Sequence, residues 1–516
     1  MILRRPDRFG IALLASAALV HLALALGFHL SPDEAHYALY ASHLDWSYFD
    51  HPPLVGWVQW PALMLGGHDL LMRVVPMACW LLAAVGVMLL TGELYPLPGS
   101  ARAAVLLMVL SPMPHLLGLA LVPDTLLLPI TCAVMWLCWR LCDATRLRRM
   151  SLWLALGVCL GLAGLSKYTA VMLALGAALV LLWAHGIRLL ALPGPWFAVL
   201  LAAVLITPVL GWNASHDWIS FTYQLGHVAG AQEWRLSRVA VYLLVQLIVF
   251  GLLLLAGLVA AMRLKGTASE AAPVQASPAP VFPVSPLAFC VCFGLPSLLL
   301  FAFLSGRGSA LPHWTAPAWL ALMPPAAAGC VALWKRHRVA LMVVGSVQAL
   351  TFTVLAGLML SGGVASEKDA QAQSQPGQML DTAPVNPFAD LHGWDAAAGR
   401  GLALAQTQGV KTLAVMNWTL ANRIAWYARP LPVKVVQRHF DQFDLWFGTL
   451  VPGESVVLID WSLMSFVPPV GAKQFERCDA LDQLPARRMG RQIAHFNFML
   501  CRNWQGPLEP PLGRPG

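Results

Sequence analysis

The sequence predicts an all-α polytopic membrane domain followed by a small soluble α/β domain, and three observations carry that expectation. Of the 516 residues, 58% are hydrophobic and only 11% are charged, against roughly a quarter charged in an ordinary soluble domain. Apolar runs of about 20 residues, enough to cross a bilayer, recur from the first residues to about position 361 and then stop. Beyond about 362, helical and strand-like stretches alternate instead.

The first apolar run begins near Phe9, after Arg4, Arg5 and Arg8. It is long and has no small-residue cleavage site before Ser31-Pro32-Asp33-Glu34, so it is expected to stay as a membrane helix. The spans are placed at about 9–29, 70–91, 102–121, 124–142, 151–166, 168–187, 195–212, 239–262, 284–304, 316–334 and 339–361. Lys and Arg gather in short segments between them: Arg140 to Arg149, Arg188, Arg263 and Lys265, and Lys335, Arg336 and Arg338. Positive residues flanking spans mark the cytoplasmic side. The net charge of +8 is thereby assigned to topology, and nucleic acid is not expected as a partner. The loop from Leu30 to Met72 holds no Lys or Arg and is expected to face out. Eleven spans that start inside end outside, which puts the tail outside as well. The turn Ser111-Pro112-Met113-Pro114 is the place where a broken or re-entrant helix is expected. Residues Thr267 to Pro286, rich in Ala, Pro, Ser and Val, read as a cytoplasmic linker. The domains are therefore 1–361, with a first outer loop at about 30–69, and 362–516.

In the tail, a polar linker (Ser366 to Gln378) precedes a helical pattern over Trp394–Gln408 and an apolar run from Thr412 to Met416. A second helical pattern, Leu420–Ala428, leads to strand-like runs at Val433–Val436 and Ser455–Asp460. Trp394 and Trp446 read as packing within the tail, the alternative being that they close it over the membrane cavity. Eight of the ten cysteines lie in or beside spans, where Cys is ordinarily a small apolar packing residue. Cys478 and Cys501 lie in the outer domain, where an oxidising compartment allows them to pair.

The candidate chemistry sits in the first outer loop, which sets Asp33, Glu34, Asp45 and Asp50 beside His36, His43 and His51, with Trp46, Tyr48 and Trp57 among them. An acidic pair at a helix end can be a solvated boundary. The absence of any Lys or Arg in the loop, and the aromatic density around the acids, favour a functional reading, because carboxylates near a low-dielectric surface gain basicity.

Asp33-Glu34-Ala35-His36-Tyr37, followed by Tyr48-Phe49-Asp50-His51-Pro52-Pro53-Leu54, resembles the first-loop signature of the C-type glycosyltransferases, in the branch of protein O-mannosyltransferases and bacterial aminoarabinose transferases to lipid A. Further matches follow in order: Pro123-Asp124, Gly164-Leu165-Ser166-Lys167-Tyr168, Gly306-Arg307 with Pro312-His313-Trp314, and Gly393-Trp394-Asp395. The resemblance implies an inverting transfer of a sugar from a polyprenyl-phosphate carrier to a lipid, glycan or protein acceptor at the periplasmic face of a bacterial inner membrane. It makes Asp33 the base on the acceptor hydroxyl, with Glu34 orienting Asp33 or the acceptor. Aminoarabinose transferases carry cations where this chain has His36 and His51, which puts aminoarabinose in doubt. Phosphate binding then falls to Lys167 and Arg307 with His51 and His36, and substrate contact to Tyr37, Asp124, Tyr168, His313 and Trp314. The bland alternatives are a snorkelling Lys167, lipid-headgroup binding by Arg307, a buried structural His313 and helix capping by Asp124.

Asp33, Glu34, His36, His51, His227 and His313 are possible ligands for a divalent ion, but no tight His/Cys spacing forces one. The expectation is activity without an essential metal or cofactor. The alternative function is a transporter or flippase of lipid-linked sugars, whose sites lie in broken helices at mid-depth.

Overall fold

The computed structural model describes residues 8–229, 233–263, 283–364, 386–437 and 439–506. The linker readings at 267–282 and at 366–378 lie outside these residues. The chain divides into two compact units. One holds residues up to Ala23, His51–Val55 and Arg73–Thr353; the other holds Leu24–Asp50, Gly56–Met72 and Val354–Gly516. Most of the 30–69 loop, assigned to the membrane domain on sequence grounds, thus packs with the tail.

The first unit is helical. It begins with α1 (Arg8–Ala25) and, past the helices of the following loop, α2 (Pro32–Ser42), α3 (Leu54–Met64) and α4 (Asp69–Met72), continues with α5 (Val74–Leu94). Next come α6 (Ser100–Leu110), α7 (Pro112–Leu119), α8 (Pro123–Leu141), α9 (Met150–Ser166), α10 (Val171–His185) and α11 (Pro193–Ser215). The unit closes with α12 (Ile219–Ala229), α13 (Leu236–Phe250), α14 (Leu252–Ala261), α15 (Pro286–Ser305) and α16 (Ala316–Ser361), the last of which runs on into the second unit. Helices occupy all eleven expected segments. Seven of the described helical segments are long and apolar enough to cross a membrane, or nine when two bent pairs each count as one. The α9 helix is a shorter apolar helix of 17 residues. The expected spans at 316–334 and 339–361 are joined in α16, where His337 leaves helical geometry. At about 1.5 Å per residue its 46 residues exceed twice the hydrocarbon thickness, so the break beside Lys335, Arg336 and Arg338 divides it into two membrane-length halves.

The bent pairs show how a broken helix survives in an apolar medium. The α6/α7 pair turns by 69° at Ser111, as expected, and the α13/α14 pair by 95° at Gly251, whose φ of +97° suits a residue without Cβ. Backbone groups freed by such breaks must find partners inside the protein. The Ser111 hydroxyl donates to the Phe250 carbonyl at 2.7 Å. The Gln348 amide accepts from Leu253 N–H at 2.9 Å and donates to the Leu110 carbonyl at 3.1 Å. Each break is therefore sealed by a polar side chain on another helix.

The second unit is built on a five-stranded sheet of β1 (Leu413–Val415), β2 (Val433–Val435), β3 (Val456–Trp461), β4 (Phe475–Arg488) and β5 (Arg491–Trp504), ordered β2-β1-β3-β5-β4. Strands β1, β2 and β3 are parallel, while β5 is antiparallel to both β3 and β4. The helices are α17 (Trp394–Gln408), α18 (Trp418–Tyr427) and the short α19 (Gln442–Phe447). One sheet face packs with α17 and α18 around Trp394, Ile424, Ile459 and Phe496, and the same core takes in Leu30, Ala35, Ala38 and Leu39 of the first loop. Cys478 and Cys501 face each other on β4 and β5 and form a disulfide.

Candidate active site

The described residues place the candidate side chains in two constellations, one in each unit. In the second unit the first loop folds into α2. Ser31 and Glu34 form a reciprocal capping box: Ser31 N–H donates to Glu34 Oε2 at 2.9 Å, and Glu34 N–H to Ser31 Oγ at 3.4 Å. This satisfies two of the orphan donors of a helix start and gives the Glu34 carboxylate a structural partner. Its neighbour Asp33, half-buried in the same first turn, lies within electrostatic reach of His36 and of Arg423. The cation missing from the loop is thus brought by the tail.

His36 is buried, with Nδ1 3.0 Å from Asn422 Oδ1 and Nε2 3.2 Å from Asp50 Oδ2. Burial pulls its pKa down, but the charge and hydrogen bond of Asp50 and the bond to Asn422 outweigh that and raise it above the usual histidine value. An oxygen opposite each ring nitrogen favours the doubly protonated ring. Both ring nitrogens of His36 are therefore engaged within the protein. Asp50 also accepts from the Tyr40 hydroxyl. Tyr37 is buried against the His36 and Tyr40 rings, at centroid distances of 5.3 and 5.5 Å.

The tail contributes more to this constellation than its sequence suggested. Arg423, fully buried on α18, donates to the Asp390 carboxylate and to its carbonyl, and lies 3.6 Å from the Trp394 ring centre. The side chain of Gln442 accepts from Phe49 N–H at 2.7 Å. Trp446, read as packing within the tail, does pack there against Phe443 at 5.5 Å, and it also stacks on His43 of the loop at 4.8 Å and stands 5.9 Å from Tyr40. Trp394 does pack within the tail, against Trp461 and Phe496. The Gly393-Trp394-Asp395 motif ties the tail to the start of the loop. Gly393, at φ +86°, donates its N–H to His29 Nδ1 at 3.2 Å, and Asp395 lies 3.3 Å from His29 Nε2.

In the first unit Asp124 stands in the opening turn of α8, after Pro123, and is 1% exposed. Its Oδ2 is 2.5 Å from Lys167 Nζ and 3.6 Å from His313 Nε2. Lys167, at the junction after α9, is 4% exposed and sits 5.1 Å from the Trp314 ring centre. It is a buried, paired cation, not a snorkelling one. Ser166 closes the junction by donating to the Pro123 carbonyl at 2.8 Å. Gln246, a residue the sequence reading missed, fixes His313 and Trp314: its amide donates to the Pro312 carbonyl at 3.0 Å and accepts from Thr315 and Trp319, each at 2.7 Å. Arg307 is half-buried in the turn that ends α15. The Tyr168 ring lies 5.2 Å from Phe221. His51, half-buried, precedes the Pro52-Pro53 step into α3. Among the described residues no group of three or more His, Cys, Asp or Glu is placed to hold a metal ion; the His227 side chain lies outside the description.

A carboxylate in a half-buried helix start can take a proton, and a buried cation bordered by an aromatic face can hold an anion in a low-dielectric setting. Residues 50–212 match the family described as dolichyl-phosphate-mannose-protein mannosyltransferase. A lipid A galacturonosyltransferase, RgtD, of Rhizobium johnstonii is 28% identical over 200 residues, 36% of this chain and 38% of that protein. The chain thus matches under two fifths of that relative's length. The crystal structures of ArnT from Cupriavidus metallidurans, in the apo state and bound to undecaprenyl phosphate, each align with TM-score 0.60 and 16% identity over 95% of this chain and 97% of ArnT.

Proposed function

Taking as premise that the chain has the fold of the C-type membrane glycosyltransferases, we propose that it moves a sugar from a polyprenyl-phosphate carrier to a lipid, glycan or protein acceptor. The observation that carries this reading is Lys167, a cation sunk at the start of a membrane helix against Asp124 and beside His313 and Trp314. A cation in such a place is functional by default, and a phosphate leaving group needs one. In the reaction Asp33 removes the proton from the acceptor hydroxyl as that oxygen attacks the anomeric carbon. The bond from that carbon to the phosphate oxygen breaks with inversion, and the electron pair leaves on the polyprenyl phosphate. Lys167 and Arg307 meet the growing negative charge, with His51 and the charge of His36 as further phosphate contacts. Tyr37, Asp124, Tyr168, His313 and Trp314 contact the substrates, and Glu34 acts by fixing the turn that carries Asp33. The site faces the periplasm of a bacterial inner membrane, with the N-terminus cytoplasmic and the tail periplasmic.

A second reading, transport of lipid-linked sugars, is favoured by the two bent helix pairs, since transporters place their sites in broken helices. The test is to supply the purified protein, in lipid, with a bacterial lipid extract and candidate acceptors. Loss of one polyprenyl-phosphate sugar, with free polyprenyl phosphate released, is the expected result. Binding of lipid-linked sugar with no loss of any would sink the transferase reading.

A further inference from the structure

The tail sheet has a second face that α17 and α18 do not cover. On that face Val456, Leu458, Phe475 and Cys501 form a small core of their own, and beyond it lies a groove of about 610 Å³. That volume is within the roughly 300–1,000 Å³ of small-molecule sites. Its floor is a row of three polar side chains from adjacent strands. Asp460 on β3 is opposite Asn497 on β5, and Asn497 is opposite Gln483 on β4. The Gln483 amide donates to Asn497 Oδ1 at 3.1 Å. The row does not arise from the need to fill a core: Asp460 is 2% exposed in a central strand where an apolar residue would pack at no desolvation cost. Its carboxylate accepts from the Ser465 hydroxyl at 2.5 Å and from Phe466 N–H at 3.0 Å, which holds the 465–468 segment as the groove's wall. On the other side β4 bulges between Ala480 and Asp482, and both residues line the groove.

The lining contains no Lys, Arg or His; of its two carboxylates, Asp482 is paired with Arg400 of α17 at 2.5 Å, which leaves Asp460 as the one that belongs to the floor. A phosphate or carboxylate ligand would find no cation in the lining and would face the Asp460 carboxylate beneath it. A ligand of hydroxyl groups fits better, because each hydroxyl both donates and accepts and so suits the amides of Asn497 and Gln483 and the hydroxyl of Ser465, with Phe466 offering an apolar face to a sugar ring. We propose that this groove is a binding site for a neutral oligosaccharide, separate from the residues assigned to sugar transfer.

The experiment uses the full chain in lipid nanodiscs and saturation-transfer NMR with neutral tetrasaccharides of glucose, galactose and mannose, and tetragalacturonate as the anionic probe. Binding of at least one neutral tetrasaccharide is expected, weakened about tenfold or more by Gln483→Ala at unchanged melting temperature and also by Ser465→Val, which removes a hydroxyl bonded to the buried Asp460. Gln483 is exposed, so its truncation leaves the fold standing. Asp33→Asn should bind the same probe as wild type does, which separates this site from the transfer reaction. No neutral probe bound, binding indifferent to both groove variants, or tetragalacturonate bound as well as the neutral probes would each overturn the proposal.

Discussion

The two constellations hold their charges in opposite ways. Around α2 the carboxylates are met by partners of different kinds: Asp50 by His36 and Tyr40, Glu34 by the backbone of Ser31, and the half-exposed Asp33 by the nearby charges of His36 and Arg423. At the start of α8 a single carboxylate, 1% exposed, answers a single lysine, 4% exposed, with a histidine at the edge of reach. A base must reach solvent-borne acceptors and exchange protons. A phosphate-binding cation gains most from a dry setting, where each charge counts for more. The comparison teaches that the first kind of site should lose chemistry when altered, and the second should lose stability as well.

The largest effect is expected at Asp33. Asp33→Asn should lower turnover by about 10² to 10⁴, the loss typical of a general base, with little change in melting temperature; a comparable loss of stability would break the contrast. Next is the Asp124–Lys167 pair. Removing one partner of a buried pair costs about 3–5 kcal/mol, so Lys167→Met or Asp124→Leu alone should destabilise the protein by that order. The double variant should recover part of it, which denaturation of all four forms would measure. If the singles are nearly neutral and add, the pair is not a dry one.

A smaller effect is expected in the tail beneath α2. Arg423→Met leaves the Asp390 carboxylate without its main partner and strips the stack on Trp394, and should cost about 2–4 kcal/mol. The smallest is a pH effect at Asp441, which caps α19. Burial, then the charge of Asp444, pushes its carboxyl up to about 7. A folded pKa above the unfolded value means that the native state binds the proton more tightly, so this group's stabilising contribution is fully present below about 4 and is lost as pH rises to about 7. Asp441→Asn should therefore raise the melting temperature at pH 8 and leave it nearly unchanged at pH 4; an equal shift at both would mean that the carboxyl titrates normally. Activity should persist in chelator, as a turnover assay with and without EDTA would show.

Much of the fold was legible because the relevant forces are local. Apolar runs located the membrane helices, and the period of Trp394–Gln408 gave α17 with its observed bounds. The hairpin of β4 and β5 was not read. The β4 strand is an edge strand carrying Glu476, Arg477, Asp479, Asp482, Gln483 and Pro485, and its alternation is interrupted by a bulge. In the site, Asp124, Lys167, His313 and Trp314 were singled out by residue type and do come together. Asn422, Arg423 and Gln442 were not, because their roles depend on α18 and α19 packing against a loop nearly 400 positions earlier. The one signal available was the pattern itself: Asn422 and Arg423 fall in the middle of an otherwise apolar helical face, where a buried amide and guanidinium require partners.

The central claim is that sugar leaves the carrier, and it is tested most directly by reconstituting the protein in vesicles with a polyprenyl-phosphate sugar labelled in the sugar. The account predicts that label moves onto a supplied acceptor with inverted anomeric configuration while unlabelled polyprenyl phosphate accumulates. Label that stays on the carrier and merely changes leaflet would contradict it and make the chain a transporter.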